Sequence, residues 1–249
     1  MSSRQSIAIV IPTLCEAESL KTLLPALAKV LDDLSVRAEV IVVDDDSRDG
    51  TAGVVAAFAR HDSRIRLLVR MGERGLSGAI LHGWRHTKAD LLGVMDADMQ
   101  HPPELLPLLV GMMERGNDLA IASRYAKCGR PSGWNPVRRV ISAGAVLTTR
   151  LLGVRSAWVS DPMSGFFLVR RTCLDRVRLQ PAGFKLLLEI LVRCEPAAVA
   201  EVPFIFGRRC AGRSKASLRV GWEFVRLVWR LYMQRARAPH RVLPQSMGD

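Results

Sequence analysis

Tyrosine is almost missing from this chain: Tyr125 and Tyr232 are the only two in 249 residues, and aromatic residues of all kinds make up 6%. A nucleic-acid-binding module interleaves exposed aromatics with its basic residues so that bases can stack on them. Most tryptophans here fall in apolar stretches, so that class stands only as a remote alternative despite a formal charge of +12. Cysteine is scarce as well. Cys15, Cys128, Cys173, Cys194 and Cys210 show no C-x-x-C or finger-like spacing, which argues against a structural zinc site or a disulfide framework. A reducing cytosol is the simplest compartment for them, and buried or inert thiols are expected. Nowhere do 18 uncharged apolar residues run together, so no membrane-spanning helix is expected. The first apolar run is too short for a signal-peptide core. The dinucleotide fingerprint and the P-loop lysine are both missing: Gly72, Gly75 and Gly78 are spaced G-x-x-G-x-x-G and read as a mobile loop.

What is present is a large apolar content, 49%, in a chain long enough for one α/β domain with an appendage. The positive charge is concentrated. Residues 204 to 241 hold ten Arg or Lys against one acid, Glu223, which points to a polyanionic partner such as a lipid surface, a nucleic acid or a phosphorylated substrate.

The stretch from 91 to 104 organises the rest. Its apolar run reads as a buried parallel strand, and Pro102 and Pro103 open the helix that follows. Asp96 and Asp98 therefore stand at the carboxyl end of a strand, where open α/β sheets bind ligands. Aspartates spaced i, i+2 with the amide oxygen of Gln100 nearby make a compact oxygen set for Mg²⁺ or Mn²⁺, whose other bonds come from water and a diphosphate. A polar strand-to-helix loop would look the same, and His101 next to two prolines reads as a helix-start residue.

Strand and helix alternate through residue 123. Strands are predicted at 7–11, ended by Pro12, and at 39–43, 65–69 and 119–123. Leu20, Leu23, Leu24, Leu27, Leu31 and Leu34 mark the first helix, which Pro25 should kink. The acidic run 44–51 is a loop in which Asp49 or Thr51 caps the next helix. Acids follow the strands near residues 11, 43 and 95, so three loops should converge on one sheet edge and form a nucleotide-sized site. In the second half, 129–136 reads as a loop and 137–152 as a helix with Arg138 and Ser142 on one face. Residues 161–165 form a turn into a strand at 166–170; Asp161 either orders that loop or is a plain turn former. A helix is expected at 185–194, a strand at 198–206 and a basic loop at 208–215. Residues 218–233 carry one narrow polar stripe (Arg219, Glu223, Arg226, Arg230) on an otherwise apolar, Trp-containing helix, suited to a lipid interface. The expected division is a catalytic domain over 1–213, an amphipathic interfacial helix over 214–235 and a flexible tail over 236–249.

In order, the chain carries I-V-I-P-T-x-x-E, V-D-D-D-S-R-D-G-T, R-G-L-S-G-A, M-D-A-D-M-Q-H-P-P-E, S-R-Y, D-P-M-S-G-F-F and R-x-x-G-R-S-K. D-x-D alone is a weak signal, but the ordered set is specific. Across roughly residues 7 to 220 it resembles the inverting family 2 glycosyltransferases, and among them the dolichol-phosphate (polyprenol-phosphate) mannose synthases.

That resemblance implies an α/β, GT-A type nucleotide-diphospho-sugar transferase fold with a mainly parallel central sheet flanked by helices. It implies transfer of a hexose, mannose from GDP-mannose, to a polyprenol or dolichol monophosphate, with inversion and with Mg²⁺ or Mn²⁺. Pro12, Leu14, Glu16, Val43 and Asp45 would hold the nucleoside, Asp45 and Glu16 accepting hydrogen bonds from base and ribose. Asp96, Asp98 and Gln100 would bind the metal and diphosphate, with Ala97 contributing backbone. Arg209 and Lys215 would clamp phosphates from a closing loop. Arg124, Arg138 and Ser142 would grip the lipid phosphate, with Lys185 nearby; Asp96, Asp98, Arg124 and Arg209 would carry the catalysis. The same likeness implies a peripheral protein on the cytoplasmic face of a membrane, held there by its own last helix or by a small anchoring subunit, with no nucleic-acid partner. Leu14 and Cys15 replace the Tyr and Asn usual in the family, which keeps open UDP-glucose or UDP-N-acetylglucosamine as donor.

Overall fold

In the computed structural model, described over residues 5–34, 36–126, 158–175 and 185–205 and at positions 144, 147, 177, 179, 226, 228–230 and 233, the apolar runs become strands of one sheet. They are β1 (Ser6–Thr13), β2 (Arg37–Asp44), β3 (Ile65–Val69), β4 (Leu91–Val94), β5 (Leu119–Ser123), β6 (Phe167–Arg170) and β7 (Val199–Pro203). Their order across the sheet is β3-β2-β1-β4-β6-β5-β7. All pairings are parallel except those of β6, which runs against both β4 and β5. The chain thus leaves β1 toward β2 on one side and returns to β4 on the other. A reversal of that kind opens a crevice above the carboxyl ends of the strands.

Alternation along each strand divides the core in two. Ile7, Ile9 and Ile11 pack with α1 (Ala17–Asp32), α2 (Thr51–Ala59) and α4 (Leu106–Glu114, entered through a 3-10 turn at Pro103–Leu105). Ala8 and Val10 face α3 (Leu76–Arg85) and α5 (Leu186–Arg193). The fit of α3 is close: a Cβ on Gly83 would lie 2.7 Å from a methyl of Val10 and 3.0 Å from one of Val43. Glycine there lets the helix approach near enough for the indole N–H of Trp84 to donate to the carbonyl of Gly93 at 3.1 Å.

Pro12 does not end the first strand. β1 continues to Thr13, in register with β2 throughout. The last bond on the β4 side is Met95 N–H to the Val10 carbonyl, and Pro12, two residues on, faces that same side. Its missing N–H therefore ends the β1–β4 ladder instead of the strand, where the Asp96 loop departs. Pro25 is carried within α1 on its exposed side, and Leu34 lies just past that helix. The strands expected at 166–170 and 198–206 are shorter, and the helix expected at 185–194 begins at Leu186. Gly50, in the left-handed region at φ 92°, and neither Asp49 nor Thr51, is the N-cap of α2; Asp49 accepts from the N–H of Ala17 (3.0 Å) and of Thr51 (3.1 Å), the first residues of α1 and α2. The predicted segments at 129–136 and 208–215, and most of 137–152 and 218–233, lie outside the described residues; Gly144 and Leu147 are helical. Among the described residues no helix is long and apolar enough to cross a membrane.

Candidate active site

Loops after β1 and β2 are stitched together by short polar side chains. Thr13 donates its hydroxyl to Asp44 (2.9 Å), and Asp44 also accepts from the N–H (2.9 Å) and hydroxyl (2.6 Å) of Ser47. Cys15 sits in the left-handed region, φ 57°, and its N–H donates to the Ser47 hydroxyl at 2.7 Å. Its side chain is exposed, so of the two states expected, buried or inert, Cys15 is not buried. Glu16 accepts from the Ser19 hydroxyl at 3.1 Å.

Asp45 is buried and points away from this turn. Arg70, just past β3, donates to both its oxygens (2.7 and 3.0 Å), and the N–H of Gly75 adds a third bond at 2.8 Å. A carboxylate has about four acceptor sites, so one further donor could join this set without displacing it. The same bonds tie the glycine loop before α3 to the acidic loop after β2.

On the other side of the crevice, Asp96 and Asp98 leave β4. Asp98 is buried and accepts the N–H of Gln100 at 3.2 Å; between them Met99 takes φ 60°. The Asp96 side chain keeps 34% exposure. Its carboxylate rests on Gly165 in the space a side chain would fill, a Cβ there lying 2.5 Å from its Cγ. Asp96, Ser164, Gly165 and Lys185 contribute to one small cavity of about 70 Å³, with apolar walls from Leu76 and Ile80 among others. His101 is enclosed between Phe166 and Phe204, and its Nδ1 is 3.9 Å from Asp96. Burial, with Arg124 adding to the effect, pushes the His101 pKa down to about 3, so at neutral pH the contact with Asp96 is not an ion pair.

Arg124 follows β5 directly. Its guanidinium meets Asp161 through two bonds, 2.7 Å from Nε and 2.6 Å from Nη2, and its backbone N–H donates to the same carboxylate at 3.0 Å. Burial alone would lower the Arg124 pKa, but the pair with Asp161 outweighs it, Asp96 adds to the rise, and the net shift is upward.

The donor chemistry suits a hard divalent cation at the Asp96 loop: two carboxylates and an amide, one carboxylate facing open space, all oxygen. Among the described residues no three His, Cys, Asp or Glu side chains form a metal cage. An ion held by this loop would take its other ligands from water and a diphosphate.

The model of glycosyl transferase family 2 matches residues 8–178. The chain belongs to that family. Among its relatives are the dolichol-phosphate mannosyltransferases of Pyrococcus furiosus, 38% identical over 225 residues, and of Saccharomyces cerevisiae, 36% identical over 245. The first alignment covers 90% of this chain and 63% of the archaeal protein; the second covers 94% and 90%. The chain thus spans less than two thirds of the archaeal relative. Solved structures of glucosyl-3-phosphoglycerate synthase from Mycobacterium tuberculosis, one of them with Mn²⁺, UDP-glucose and phosphoglyceric acid, superpose with a TM-score of 0.69 at 22% identity. That match covers 96% of this chain and 82% of theirs, and the shared architecture is the GT-A type.

Of the residues singled out in the sequence of this family 2 member, Pro12, Leu14, Glu16, Val43 and Asp45 lie at the ends of β1 and β2. Asp96, Ala97, Asp98 and Gln100 follow β4, Arg124 follows β5, and Lys185 precedes α5. Arg138, Ser142, Arg209 and Lys215 fall outside the described residues. Arg70 and Glu201 were not singled out, and Gly165 was read only as part of a turn. Arg70 had a local signal, an arginine directly after a strand that ends at the same edge as the acidic loops. The partners of Gly165 and Glu201 had no local signal, because Asp96, Ser160 and Asp161 come from distant loop segments of the chain.

Proposed function

We propose that this chain transfers mannose from GDP-mannose to the phosphate of a polyprenol or dolichol, with inversion at the sugar carbon. The observation that carries the reading is the meeting of two kinds of group in one crevice: the Asp96–Asp98 loop, suited to a metal-bound diphosphate, and Arg124 with Lys185, suited to a second phosphate. The mannosyltransferase relatives at 36–38% identity support the same choice.

Glu16 and Asp45 receive the nucleoside, the latter held rigid by Arg70. Asp96, Asp98 and Gln100 would hold a divalent cation, Mg²⁺ or Mn²⁺, which would supply positive charge against the departing nucleoside diphosphate. Asp96 keeps its position because Gly165 makes room for it, and Ala97 lines the loop through its backbone. Arg209 and Lys215 add positive charge to the phosphates as the leaving group develops charge. Arg124, Arg138, Ser142 and Lys185 hold the acceptor, guanidinium groups matching phosphate oxygens two at a time. A phosphate monoester has a second pKa of about 6, so the acceptor is a dianion at neutral pH and attacks without a general base. Neutral, enclosed His101 fits such a site. The basic segment 214–235 lies along the cytoplasmic face of the membrane that carries the acceptor, alone or with a small anchoring subunit.

The test is transfer from radiolabelled GDP-mannose, UDP-glucose and UDP-N-acetylglucosamine to geranyl phosphate with Mg²⁺ or Mn²⁺, the anomer of the product being read by NMR. Inverted mannosyl phosphate from GDP-mannose alone is expected. Turnover only with a UDP-sugar would reassign the donor, in line with Leu14 and Cys15, and product of retained configuration would refute the single displacement.

A further inference from the structure

Asp161 has no place in the transfer chemistry, yet it is the most enclosed carboxylate at this edge of the sheet: its side chain is 0% exposed, against 10% for Arg124. We propose that Asp161 is a positioning residue that holds the Arg124 guanidinium in the orientation from which it engages the acceptor phosphate. The proposal rests on the reading of Arg124 as a phosphate-binding residue.

Three N–H groups of Arg124, one from the backbone and two from the guanidinium, end on this single carboxylate. A side chain with four rotatable bonds is thereby fixed at its root and its tip. Asp161 is in turn held from behind. Its N–H donates to Glu201 of β7 at 3.2 Å, and Ser160 gives Glu201 its N–H (3.1 Å) and its hydroxyl (2.8 Å). Ser160 and Ser123 hydroxyls meet at 3.2 Å. Downstream, the Ser164 hydroxyl donates to the carbonyl of Ala122 in β5 at 2.7 Å. The segment that carries Asp161 is therefore pinned to β5 and β7, and the aim of Arg124 follows from the sheet instead of from a free rotamer.

Stability alone is a poor reason for this arrangement. Taking two charges out of water costs about as much as their attraction returns, and well-packed apolar residues often serve a core as well or better. What an apolar pair lacks is a fixed guanidinium edge. Of the two partners, Arg124 is the one that reaches solvent, which suits a cation directed outward from a buried anchor. The same segment continues to Gly165, on which Asp96 rests, so one short stretch sets both the acceptor arginine and the metal carboxylate.

The experiment compares wild type, Asp161→Asn, Arg124→Lys, the double variant and Glu201→Gln. It measures KM for geranyl phosphate, Kd for GDP-mannose with Mn²⁺ by calorimetry, and the thermal midpoint. Asp161→Asn is expected to raise the acceptor KM tenfold or more while the GDP-mannose Kd stays within twofold. In the Arg124→Lys background the same change is expected to add almost nothing, since residues acting through one group are not additive. An unchanged acceptor KM, an equal loss of donor and acceptor, or a multiplicative double variant would each overturn the positioning role. If Asp161→Asn does not fold, Glu201→Gln decides: it leaves the Asp161–Arg124 pair in place and loosens only its support, so an acceptor KM raised without loss of donor affinity supports the role and an unchanged one refutes it. Wild type that neither binds nor uses geranyl phosphate would instead refute the acceptor assignment, and this inference with it. Turnover by wild type with an indifferent Asp161→Asn sinks the inference alone.

Discussion

A methyl group added at Gly165 would overlap Oδ2 of Asp96 and lie 2.5 Å from its Cγ and 2.8 Å from its Oδ1. Non-bonded heavy atoms settle at about 3.5 Å or more, so in Gly165→Ala the carboxylate has to retreat by roughly 1 Å. The backbone does not resist alanine, because Gly165 is not among the residues of positive φ. Nor does the fold, because the Asp96 side chain is 34% exposed and can swing outward, at a cost of about 0.5–1.5 kcal/mol for leaving its rotamer. Chemistry is less forgiving: a displacement of about 1 Å in a positioned group can lower the rate about a hundredfold, roughly 2.7 kcal/mol of transition-state stabilisation. Mn²⁺ calorimetry without substrate, steady-state transfer and thermal unfolding would be measured side by side. The expected variant melts close to wild type, binds Mn²⁺ weakly and transfers at about 1% of the wild-type rate. Wild-type Mn²⁺ affinity and rate would show that Asp96 is not a metal ligand held in place by this glycine. A large fall in melting temperature would show that the backbone had yielded in its place.

Asp98→Asn keeps size and removes a charge, so transfer should fall below about a tenth of wild type, more than 1.4 kcal/mol of transition-state stabilisation, while thermal melting is retained; a rate above that would remove Asp98 from the metal site. Arg70→Met leaves the buried Asp45 charge without its guanidinium partner and should cost about 3–5 kcal/mol in urea unfolding. Asp45→Asn in the same chain should recover much of it, and a loss under about 1 kcal/mol for the single variant would mean that water or another cation replaces Arg70. Burial pushes the Cys173 thiol up to about 11 and the Cys194 thiol up to about 12. The reactive thiolate of each should therefore be absent at pH 8 and emerge only as pH approaches those values. Iodoacetamide at pH 8, followed by peptide mapping, should modify exposed Cys15 well before either; equal rates at all three positions would contradict the packing of Cys173 and Cys194.

Sequence alone was sufficient for whatever depends on neighbours in the chain. β3 and β5 have the bounds read from their apolar runs, 65–69 and 119–123, because a buried strand is a short continuous apolar run punctuated by polar or turn residues. The gathering of the acidic loops at one edge was also legible: successive βα units make strands parallel, and parallel strands end on the same side. Pro12 shows where local reasoning stops. A proline ends a strand only if its N–H was needed, and whether it is needed depends on which neighbour is still paired at that level. β6 shows it again, since nothing within its four residues dictates that it runs against β4 and β5. The contacts that set the site are longer in range still. Arg70 and Asp45 are 25 residues apart and Arg124 and Asp161 are 37 apart, while Gly165 lies just before β6 and Asp96 just after β4, strands that only the sheet places side by side. Spacing and the ordered motifs could therefore point to charged groups at the ends of the strands. Only the tertiary structure decided which of them are held, and by what, because a buried charge is positioned by whichever partner the strand order brings within hydrogen-bonding distance.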